Sequence, residues 1–563
     1  MPFKPLVDLD PEKLEKASKL LCELFSVPSL RVYQTEVGQN VLKGISTFLD
    51  IPTGGGKTLA FWFPLFYYWE PGNTDKDCQK TILVVGPLTA LMQSQALSLA
   101  ERGDVGENKY RIVLVSPEMA TSTKFHETVL SNKAFADNII CLDIDEGHCI
   151  SEWGNDDFRP EFSNLRVLLA RLPSGLPVVI GSATMPHDVM LDILAKLRLR
   201  NDCAHVSVSN AKMNVALSVR ILQHLQDTFA DLITLFPQDP AVPEDFPQTL
   251  IYADGHMVVE KIQDFLRRNT PEEISDKSFE FYHRFIAEDQ KLSIQNRIED
   301  GTLRAVPTTD ALGMGMDFKG IMRVILWLCP RSFLSLVQKI GRCGRLAELL
   351  GEAILYITSA AYIRYEIELE ILKGDAAEDE EDEESSEQPA LVEDEEQMDR
   401  EAAVEPNDES EMQLAPKRKS RKAMSVLEAR DCCYLLEYMV TKGCRRIPWN
   451  KFFGNDSKYA LPYPVPPNTR CCDNCTPDRF PVETVSITGV SNLKSGRRRH
   501  KKASEDVVWA VTDMLVVLRE AIVQQHWPNQ YIIRGRIGMS DDIIAALAAR
   551  ARKITTVEAL QVR

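Results

Sequence analysis

A glycine-rich turn followed by lysine and threonine occupies residues 52–58, which read Pro-Thr-Gly-Gly-Gly-Lys-Thr. The glycines let backbone amides approach a polyphosphate closely, and the start of a helix adds partial positive charge. Lys57 is expected to reach the β- and γ-phosphates, and the Thr58 hydroxyl to ligate Mg²⁺. Ile51 stands where the general pattern has its first glycine, so the turn alone indicates a nucleotide pocket, for which we expect ATP.

Two adjacent carboxylates, Asp145 and Glu146, follow the apolar run at residues 139–143. A site that hydrolyses ATP needs carboxylates at the end of a neighbouring buried strand, where they hold the metal and orient a water molecule. We expect Asp145 to hold Mg²⁺ through water and Glu146 to polarise the attacking water. Either carboxylate alone would be more typical of a residue that caps a secondary-structure element at the protein surface. The position of the pair directly after a strand favours the catalytic interpretation.

Short apolar runs separated by helical periods must position these groups. Residues 1–208 have such runs at 81–85, 111–115, 139–143 and 177–180, and residues 209–373 have them at 249–252, 304–306, 322–326 and 353–356. Runs this continuous suit strands that are buried on both faces of a parallel sheet. The pattern predicts an α/β protein with two doubly wound parallel-sheet domains in tandem.

The net charge of −17 comes from one segment. Residues 375–411 contain nineteen Asp or Glu and one arginine, which leaves a charge of +1 for all other residues. With few large apolar groups, residues 374–422 are predicted to be a disordered acidic insert that ends in a basic cluster. This cluster at 417–422 and another at 497–502 are typical of nuclear import signals, phosphate-contacting patches or plain solvated loops. The acidity therefore does not exclude a nucleic-acid partner.

Further motifs occur in a fixed order around the two catalytic segments. They comprise residues 30–34, 86–93, 116–118, 145–162 and 181–184 in the first block, and 282–283, 309–317 and 338–345 in the second. The run at 145–162, Asp-Glu-Gly-His-Cys-Ile-Ser-Glu-Trp-Gly-Asn-Asp-Asp-Phe-Arg-Pro-Glu-Phe, resembles the RecQ family of superfamily 2 DNA helicases. The likeness covers about residues 25–475. It implies tandem RecA-like domains and a small helical zinc-binding module at 423–476. Beyond the likeness, the apolar spacing within residues 504–563 predicts a helical or winged-helix accessory region at 477–563.

The resemblance also assigns roles within an ATP site. It implies that Gln34 reads the adenine edge and that Arg342 and Arg345 reach the γ-phosphate from the second domain. An arginine fork offers fixed bidentate donors to the charge that develops on phosphate. Ser182 and Thr184 would link hydrolysis to domain motion. The remaining nucleotide-binding positions are Arg31, Thr53, Gly54, Gly55, Gly56, Gly315, Asp317 and Gln338.

The segment after the acid pair carries the residues that we expect to meet single-stranded DNA. Trp153, Phe158 and Arg159 offer aromatic faces and a guanidinium, which stack on unpaired bases at about 1–3 kcal/mol per base. A place for both aromatic residues in the local core is the alternative. His148 is a further DNA-binding candidate. Gly147 replaces the alanine that is usual in the family, and this departure bears on how efficiently ATP hydrolysis is coupled to DNA.

Four late cysteines look like the zinc ligands of the family, namely Cys444, Cys471, Cys472 and Cys475. Four thiolates at ~2.3 Å from Zn²⁺ would fix a small platform with little core of its own. Cys471 and Cys472 are adjacent, whereas the family spaces its cysteines more widely, so a metal-free or three-ligand site is the alternative. The cysteines at 432–433 would lie about 16 Å along a helix from Cys444, too far to substitute.

The sequence therefore predicts an ATP-dependent DNA helicase that moves 3′ to 5′, with the polarity implied by the resemblance alone. A DNA-stimulated translocase that cannot unwind, and a DNA-binding scaffold with weak ATPase, are the alternatives. We expect single-stranded and duplex DNA, tailed or branched, as partner, RNA as the less favoured one, and a nuclear monomer. The longest apolar stretch, residues 59–69, is shorter than the ~18 residues of a membrane span, so no membrane attachment is expected.

Overall fold

The computed structural model describes residues 2–73, 75, 78–86, 112–152, 160–162, 164–237, 242–270, 274, 277–312, 318–346, 348–384, 424–460, 465–483 and 515. The chain divides into two units, residues 1–485 and 486–563, and every described residue except Leu515 lies in the first. The C-terminal region predicted to be helical or winged-helix thus falls almost entirely outside the described residues. No helix in the described ranges combines the length and apolar character needed to cross a membrane.

Six parallel strands form the sheet of the first domain. They are β1 Thr47–Asp50, β2 Thr81–Val85, β3 Ile112–Val115, β4 Ile139–Ile144, β5 Val178–Ser182 and β6 Ala204–Ser207, in the sheet order β3-β2-β4-β5-β1-β6. The α-helices are Pro11–Phe25, Val32–Leu42, Lys57–Tyr68, Pro117–Thr121, Thr123–Phe125, Lys133–Asn138, His148–Glu152, Leu165–Arg171 and His187–Leu197. A π-helical turn at His126–Leu130 and a 3₁₀ turn at Pro160–Phe162 complete the domain.

Five parallel strands form the sheet of the second domain. They are β7 Val215–Ile221, β8 Thr249–Ala253, β9 Ala305–Thr308, β10 Arg323–Trp327 and β11 Gly351–Ile357, in the sheet order β7-β11-β10-β8-β9. The α-helices are His256–Arg268, Glu288–Glu299, Phe333–Ile340 and Ser359–Glu384, with 3₁₀ turns at Gln226–Thr228, Ala230–Leu235, Pro243–Asp245 and Asp310–Leu312. Two tandem parallel sheets confirm the predicted α/β fold class.

Apolar side chains cover both faces of each sheet. Every residue of β4 and β5 is buried, as their continuous apolar runs predict. The helix Lys57–Tyr68 packs on the first sheet with Phe61, Trp62 and Phe63, whose side chains are almost fully buried. The eight predicted runs coincide with β2–β5 and β8–β11. β1, β6 and β7 are the strands that lie outside these apolar runs.

A cysteine-containing module follows the second domain and pairs with an edge strand of each sheet. Its α-helices are Val426–Val440 and Arg446–Phe453, with 3₁₀ turns at Asn455–Ser457 and Pro477–Arg479. Tyr459 forms a parallel bridge with Val208, just after β6, and Cys472 forms one with Leu217 of β7. β6 and β7 lie at the ends of their sheets and follow one another in the chain. The module therefore joins both sheets where the chain crosses between domains.

Two neighbouring side chains of the helix Val426–Val440 also bridge the domains. Arg430 forms a 2.7 Å ion pair with Asp188 of the first domain. Asp431 accepts a hydrogen bond of 2.6 Å from the backbone N–H at the start of the helix Phe333–Ile340. The carboxylate caps this helix of the second domain, and its negative charge interacts favourably with the partial positive charge at the helix N-terminus.

The acidic segment begins inside a helix, which corrects the predicted boundary of the disordered insert. The helix Ser359–Glu384 continues through residues 374–384, the start of the predicted insert. Alanine and glutamate, which dominate that stretch, have high helix propensity and can extend a helix that is already formed. Residues 385–423 lie outside the described residues.

Candidate nucleotide site between the two domains

The glycine turn between β1 and the helix Lys57–Tyr68 has a backbone that favours glycine. Gly54 and Gly56 have φ angles of +80° and +83°, in the left-handed region. At Gly55, a Cβ atom would lie only 2.1 Å from Cγ2 of Ile51. The turn brings its backbone against the N-terminus of the following helix, which is the arrangement that binds phosphate.

The start of the helix Val32–Leu42 holds this turn in place. Nε2 of Gln34 donates to the carbonyl oxygen of Gly56 at 2.9 Å, and Nη1 of Arg31 donates to that of Gly55 at 2.8 Å. The hydroxyl of Tyr33, a residue that the sequence analysis missed, donates to the Gly55 oxygen as well, at 2.8 Å. Oε1 of Gln34 accepts from the backbone N–H of Arg31 at 2.8 Å. Gln34 therefore fixes the turn, and its contact with adenine stays a prediction.

The acid pair follows β4, which is two strands away from β1 in the sheet. Asp145 is buried, and its backbone N–H donates to the carbonyl oxygen of Val85 at 2.9 Å. The Asp145 carboxylate accepts a hydrogen bond of 2.9 Å from the backbone N–H of Glu146. These contacts fix a carboxylate at the strand end, which suits the predicted role of Asp145 in holding Mg²⁺.

The backbone after the pair passes close to β5, which gives a reason for the glycine at 147. Glu146 has a φ angle of +52°, an uncommon value for a residue with a side chain. The N–H of Gly147 donates to the carbonyl oxygen of Gly181 at 2.8 Å. A Cβ atom at Gly147 would lie 2.3 Å from Cγ2 of Ile180, so the family's usual alanine does not fit here without a shift.

Basic groups from both domains surround the carboxylate of Glu146. Burial by itself raises the pKa of Glu146, but these groups outweigh burial and hold the pKa below its ordinary value. In order of size they are His148 when protonated, Lys57, Arg342 and Arg345. The two arginines belong to the second domain, so the predicted catalytic residues of both domains face one cleft. Glu146 is therefore ionised at neutral pH, as a general base must be.

His148 is buried in this cleft, which corrects its predicted contact with DNA. Its side chain is 2% exposed, so the ring offers no face for a base to stack on. Nδ1 lies 2.9 Å from Oγ of Ser182, and Nε2 lies 2.9 Å from Nε2 of Gln338. Burial lowers the pKa of His148, although Glu146 opposes the shift. A neutral ring can accept from Gln338 and donate to Ser182, and so links the two domains.

Gln338 makes a second contact across the cleft. Its Nε2 also donates to Oγ1 of Thr184 at 3.1 Å, and the backbone N–H of Thr184 donates to Oγ of Ser182 at 3.0 Å. Ser182 ends β5, whereas Gln338 lies in the helix that leads to the two arginines. Three residues predicted to take part in the nucleotide site are thus joined in one hydrogen-bonded chain between the domains.

Lys212 holds the loop that carries the arginines, a role that the sequence analysis missed. It lies in the crossing between β6 and β7, and its Nζ donates to the carbonyl oxygens of Gly341 at 2.7 Å and Cys343 at 3.0 Å. Arg446 of the module donates in turn to the carbonyl oxygen of Val215 at 2.6 Å. No local pattern signals this lysine, because its partners are backbone oxygens far away in the sequence.

The four predicted zinc ligands come together beside β7. The Sγ atoms of Cys444, Cys471, Cys472 and Cys475 all lie within 4.8 Å of one another, and the first two are 3.5 Å apart. Four thiolates placed tetrahedrally at ~2.3 Å from one Zn²⁺ are ~3.8 Å apart, so the group fits this ion. An ion pair of 2.6 Å between Arg445 and Asp473 joins the two segments that carry the cysteines.

The other predicted site residues divide into two groups. Outside the described residues are Trp153, Phe158, Arg159, Gly315 and Asp317. The basic clusters at 417–422 and 497–502 are also outside them, and the roles of all these residues stay predictions. Thr53 and Thr58 are half-buried at the glycine turn and in the first turn of the next helix.

Residues 31–193 match the DEAD/DEAH box helicase family, and residues 229–347 match the helicase conserved C-terminal domain. The chain is 27% identical to the probable ATP-dependent DNA helicase RecS of Bacillus subtilis (strain 168), over 59% of this chain and 65% of that protein. It is 29% identical to the ATP-dependent helicase wrn-1 of Caenorhabditis elegans, over 59% of this chain and 31% of that protein. It is 27% identical to the ATP-dependent DNA helicase RecQ of Pasteurella multocida (strain Pm70), over 62% of this chain and 53% of that protein. The chain spans less than two thirds of the length of each of these relatives.

The two parallel-sheet domains and the polar cleft between them define a protein with the tandem RecA-like fold of helicases. The first family match spans β1–β5, and the second spans β8–β10. Together, the two family matches and these relatives support a divergent RecQ-like helicase.

Proposed function

We propose that the chain is an ATP-dependent DNA helicase of RecQ type, which couples ATP hydrolysis to 3′-to-5′ movement on single-stranded DNA and to unwinding of duplex DNA. The observation that carries this proposal is the surroundings of Glu146, which include Lys57 from its own domain and Arg342 and Arg345 from the other. A hydrolytic site divided between two domains changes its geometry when the domains close. Hydrolysis and domain movement are coupled for that reason.

Residues of the first domain bind the phosphates and the metal. The backbone of the glycine turn and Lys57 hold the β- and γ-phosphates of ATP, and Thr58 and Asp145 hold Mg²⁺. When bound, Mg²⁺ supplies neutralisation of the phosphate charge. Glu146 accepts the proton of the attacking water, since the basic groups around it keep its carboxylate ionised.

Residues of the second domain complete the site. Arg342 and Arg345 stabilise the negative charge that develops on the γ-phosphate. Lys212 supports them, because it binds the carbonyl oxygens of Gly341 and Cys343 on either side of Arg342. Loss of the γ-phosphate weakens the attraction between the domains, so each cycle of closing and opening advances the protein along its strand.

The proposed substrate is single-stranded DNA with a tailed or branched duplex next to it, and RNA is less favoured. Two of the relatives carry the name DNA helicase. Trp153, Phe158 and Arg159 are proposed to stack on unpaired bases. Their closeness in sequence to Glu146 would let bound DNA influence the catalytic carboxylate.

The proposal also covers the zinc ion and the cellular location of the protein. Zn²⁺ bound by the four cysteines would fix the module, which pairs with both sheets. We propose that the protein acts as a monomer in the nucleus, in recombination, repair or replication. The basic clusters at 417–422 and 497–502 are the proposed import signals.

Strand separation on tailed duplexes tests this function. The purified chain is mixed with MgATP and duplexes of matched sequence that carry a 3′ or a 5′ single-stranded tail, and release of the labelled strand is followed. We expect release from the 3′-tailed duplex, little from the 5′-tailed one and none with Lys57→Ala. DNA-stimulated hydrolysis without strand release would identify a translocase instead. DNA binding without stimulated hydrolysis would identify a scaffold.

A further inference from the structure

A buried ion pair connects the cysteine module with the base of the phosphate-binding turn. Nζ of Lys458 donates a hydrogen bond to Oδ2 of Asp50, and the side chains are 5% and 0% exposed. Asp50 is the last residue of β1 and directly precedes the turn. Lys458 follows the 3₁₀ turn Asn455–Ser457 of the module. The pair joins residues that are 408 positions apart.

Backbone pairing holds Lys458 at this place. The next residue, Tyr459, donates its N–H to the carbonyl oxygen of Ser207 at 3.1 Å. Its own carbonyl oxygen accepts from the N–H of Ser209 at 2.8 Å. The Lys458 ammonium thus reaches Asp50 from a segment that is paired to the edge of the same sheet.

Asp50 also acts on the lysine of the proposed ATP site. Lys57 Nζ donates to the carbonyl oxygen of Ile51, the residue after Asp50, at 3.3 Å. Burial raises the pKa of Asp50, and the charges of Lys458 and Lys57 oppose that shift. A carboxylate this close to a polyphosphate site repels the ligand and competes for Lys57, unless another cation neutralises it.

We infer that Lys458 is a positioning residue for nucleotide binding, because it neutralises Asp50 and leaves the Lys57 ammonium available to the phosphates. The inference rests on the proposed ATP site and deepens it. Lys458 acts through Asp50 and lies in the module, so the affinity of the phosphate-binding turn for ATP depends on a segment outside the two sheet domains.

Equilibrium binding of a fluorescent ATP analogue with Mg²⁺ to the full chain tests this inference. Lys458→Met leaves the carboxylate without its cation, and we expect the Kd to rise about tenfold or more. Lys458→Met combined with Asp50→Asn removes the carboxylate too, so the Kd should return to within about threefold of wild type. In ATP hydrolysis, KM should rise more than kcat falls in Lys458→Met.

Two conservative variants separate positioning from support of the fold. Lys458→Arg keeps the charge and is expected to keep most of the affinity. Asp50→Asn alone keeps the cation and should bind at least as tightly as wild type, which provides a test even if Lys458→Met does not fold in a thermal melt. If the pair only supports the fold, the double variant binds as poorly as Lys458→Met. That result, wild-type affinity in a folded Lys458→Met, or weaker binding by Asp50→Asn would overturn the inference.

The same measurement distinguishes this inference from the proposed function. Binding is measured without DNA, so it does not depend on translocation or unwinding. A wild-type chain that binds no nucleotide would remove the proposed function itself. A wild-type chain that binds and hydrolyses ATP, with unchanged binding in Lys458→Met, would remove only the role of Lys458.

Discussion

The Nε2 atoms of Gln338 and His148 lie 2.9 Å apart and join the second domain to the first. On the other side of the ring, Nδ1 of His148 lies 3.4 Å from Oε2 of Glu146. One imidazole therefore touches both the proposed catalytic base and a residue of the opposite domain. A change in domain position that moves Gln338 alters the surroundings of Glu146 directly.

Replacement of Gln338 by alanine should uncouple hydrolysis from DNA. It removes the contacts to His148 and Thr184 and leaves buried polar groups without their partner, a loss worth about 1–3 kcal/mol. We expect the DNA-stimulated rate of phosphate release to fall about tenfold or more, with little change in affinity for an ATP analogue. The exposed Gln290→Ala, in the same domain, is the control. Equal rates in the two variants would contradict the interdomain role.

Replacement of Gly147 by alanine should destabilise the acid pair. The new methyl group would lie 2.3 Å from Cγ2 of Ile180, so either β5 or Glu146 must move. We expect the free energy of unfolding in urea to fall by about 1–3 kcal/mol and hydrolysis to slow. Gly443→Ala, where the nearest atom would be 3.6 Å from the new Cβ, should stay within about 0.5 kcal/mol of wild type. Equal stability of both variants would rule out the close approach.

The fold could be predicted from the sequence where strands are buried on both faces. Such strands must be apolar throughout, which made β4 and β5 visible. β7 was missed because Ser218 and Arg220 interrupt its apolar run, and β6 because it is short and holds His205.

The site could be predicted only where a local motif carries it. The glycine turn, the acid pair and the four cysteines are such motifs. The roles of His148, Lys212 and Lys458 depend on partners that are 190, 129 and 408 positions away, and no local pattern contains such contacts. The prediction for His148 was wrong for this reason, since its neighbours in sequence suggested a DNA-facing loop.

One zinc ion per chain is expected when the purified protein is analysed by mass spectrometry of its metals. Cys472→Ser removes a buried ligand, so we expect loss of the ion and a melting temperature lower by several degrees, because metal binding stabilises the folded module. Cys433→Ser, on the helix Val426–Val440, should retain zinc and melt within about 2 °C of wild type. A wild-type chain without zinc, whose melting is unchanged by a chelator, would contradict the assignment.

The pH dependence of stability should report the burial of His148. Its pKa in the folded chain lies below the ordinary value of 6.5. Well above pH 6.5, His148 is neutral in both the folded and the unfolded chain, so it contributes nothing to the pH dependence of the free energy of unfolding. As pH falls below 6.5, the unfolded chain takes up the proton first, and the free energy of unfolding decreases by about 1 kcal/mol per pH unit.

Urea denaturation at pH 7.5 and 5.5 measures this contribution. We expect His148→Asn to show a smaller decrease in the free energy of unfolding between these pH values than wild type. The exposed His187→Asn serves as the control and should keep the wild-type decrease. The same decrease in His148→Asn and wild type would contradict a buried, neutral ring.

The most direct test of an ATP site controlled by DNA is phosphate release with single-stranded DNA, with single-stranded RNA of matching sequence and with no polymer. We expect DNA to stimulate the wild-type rate most strongly. Glu146→Gln should lower the stimulated rate by about 100-fold or more, because it removes the general base, whereas the exposed Glu127→Gln should keep it. A wild-type rate that is the same with and without DNA, or a wild-type rate in Glu146→Gln, would contradict the account.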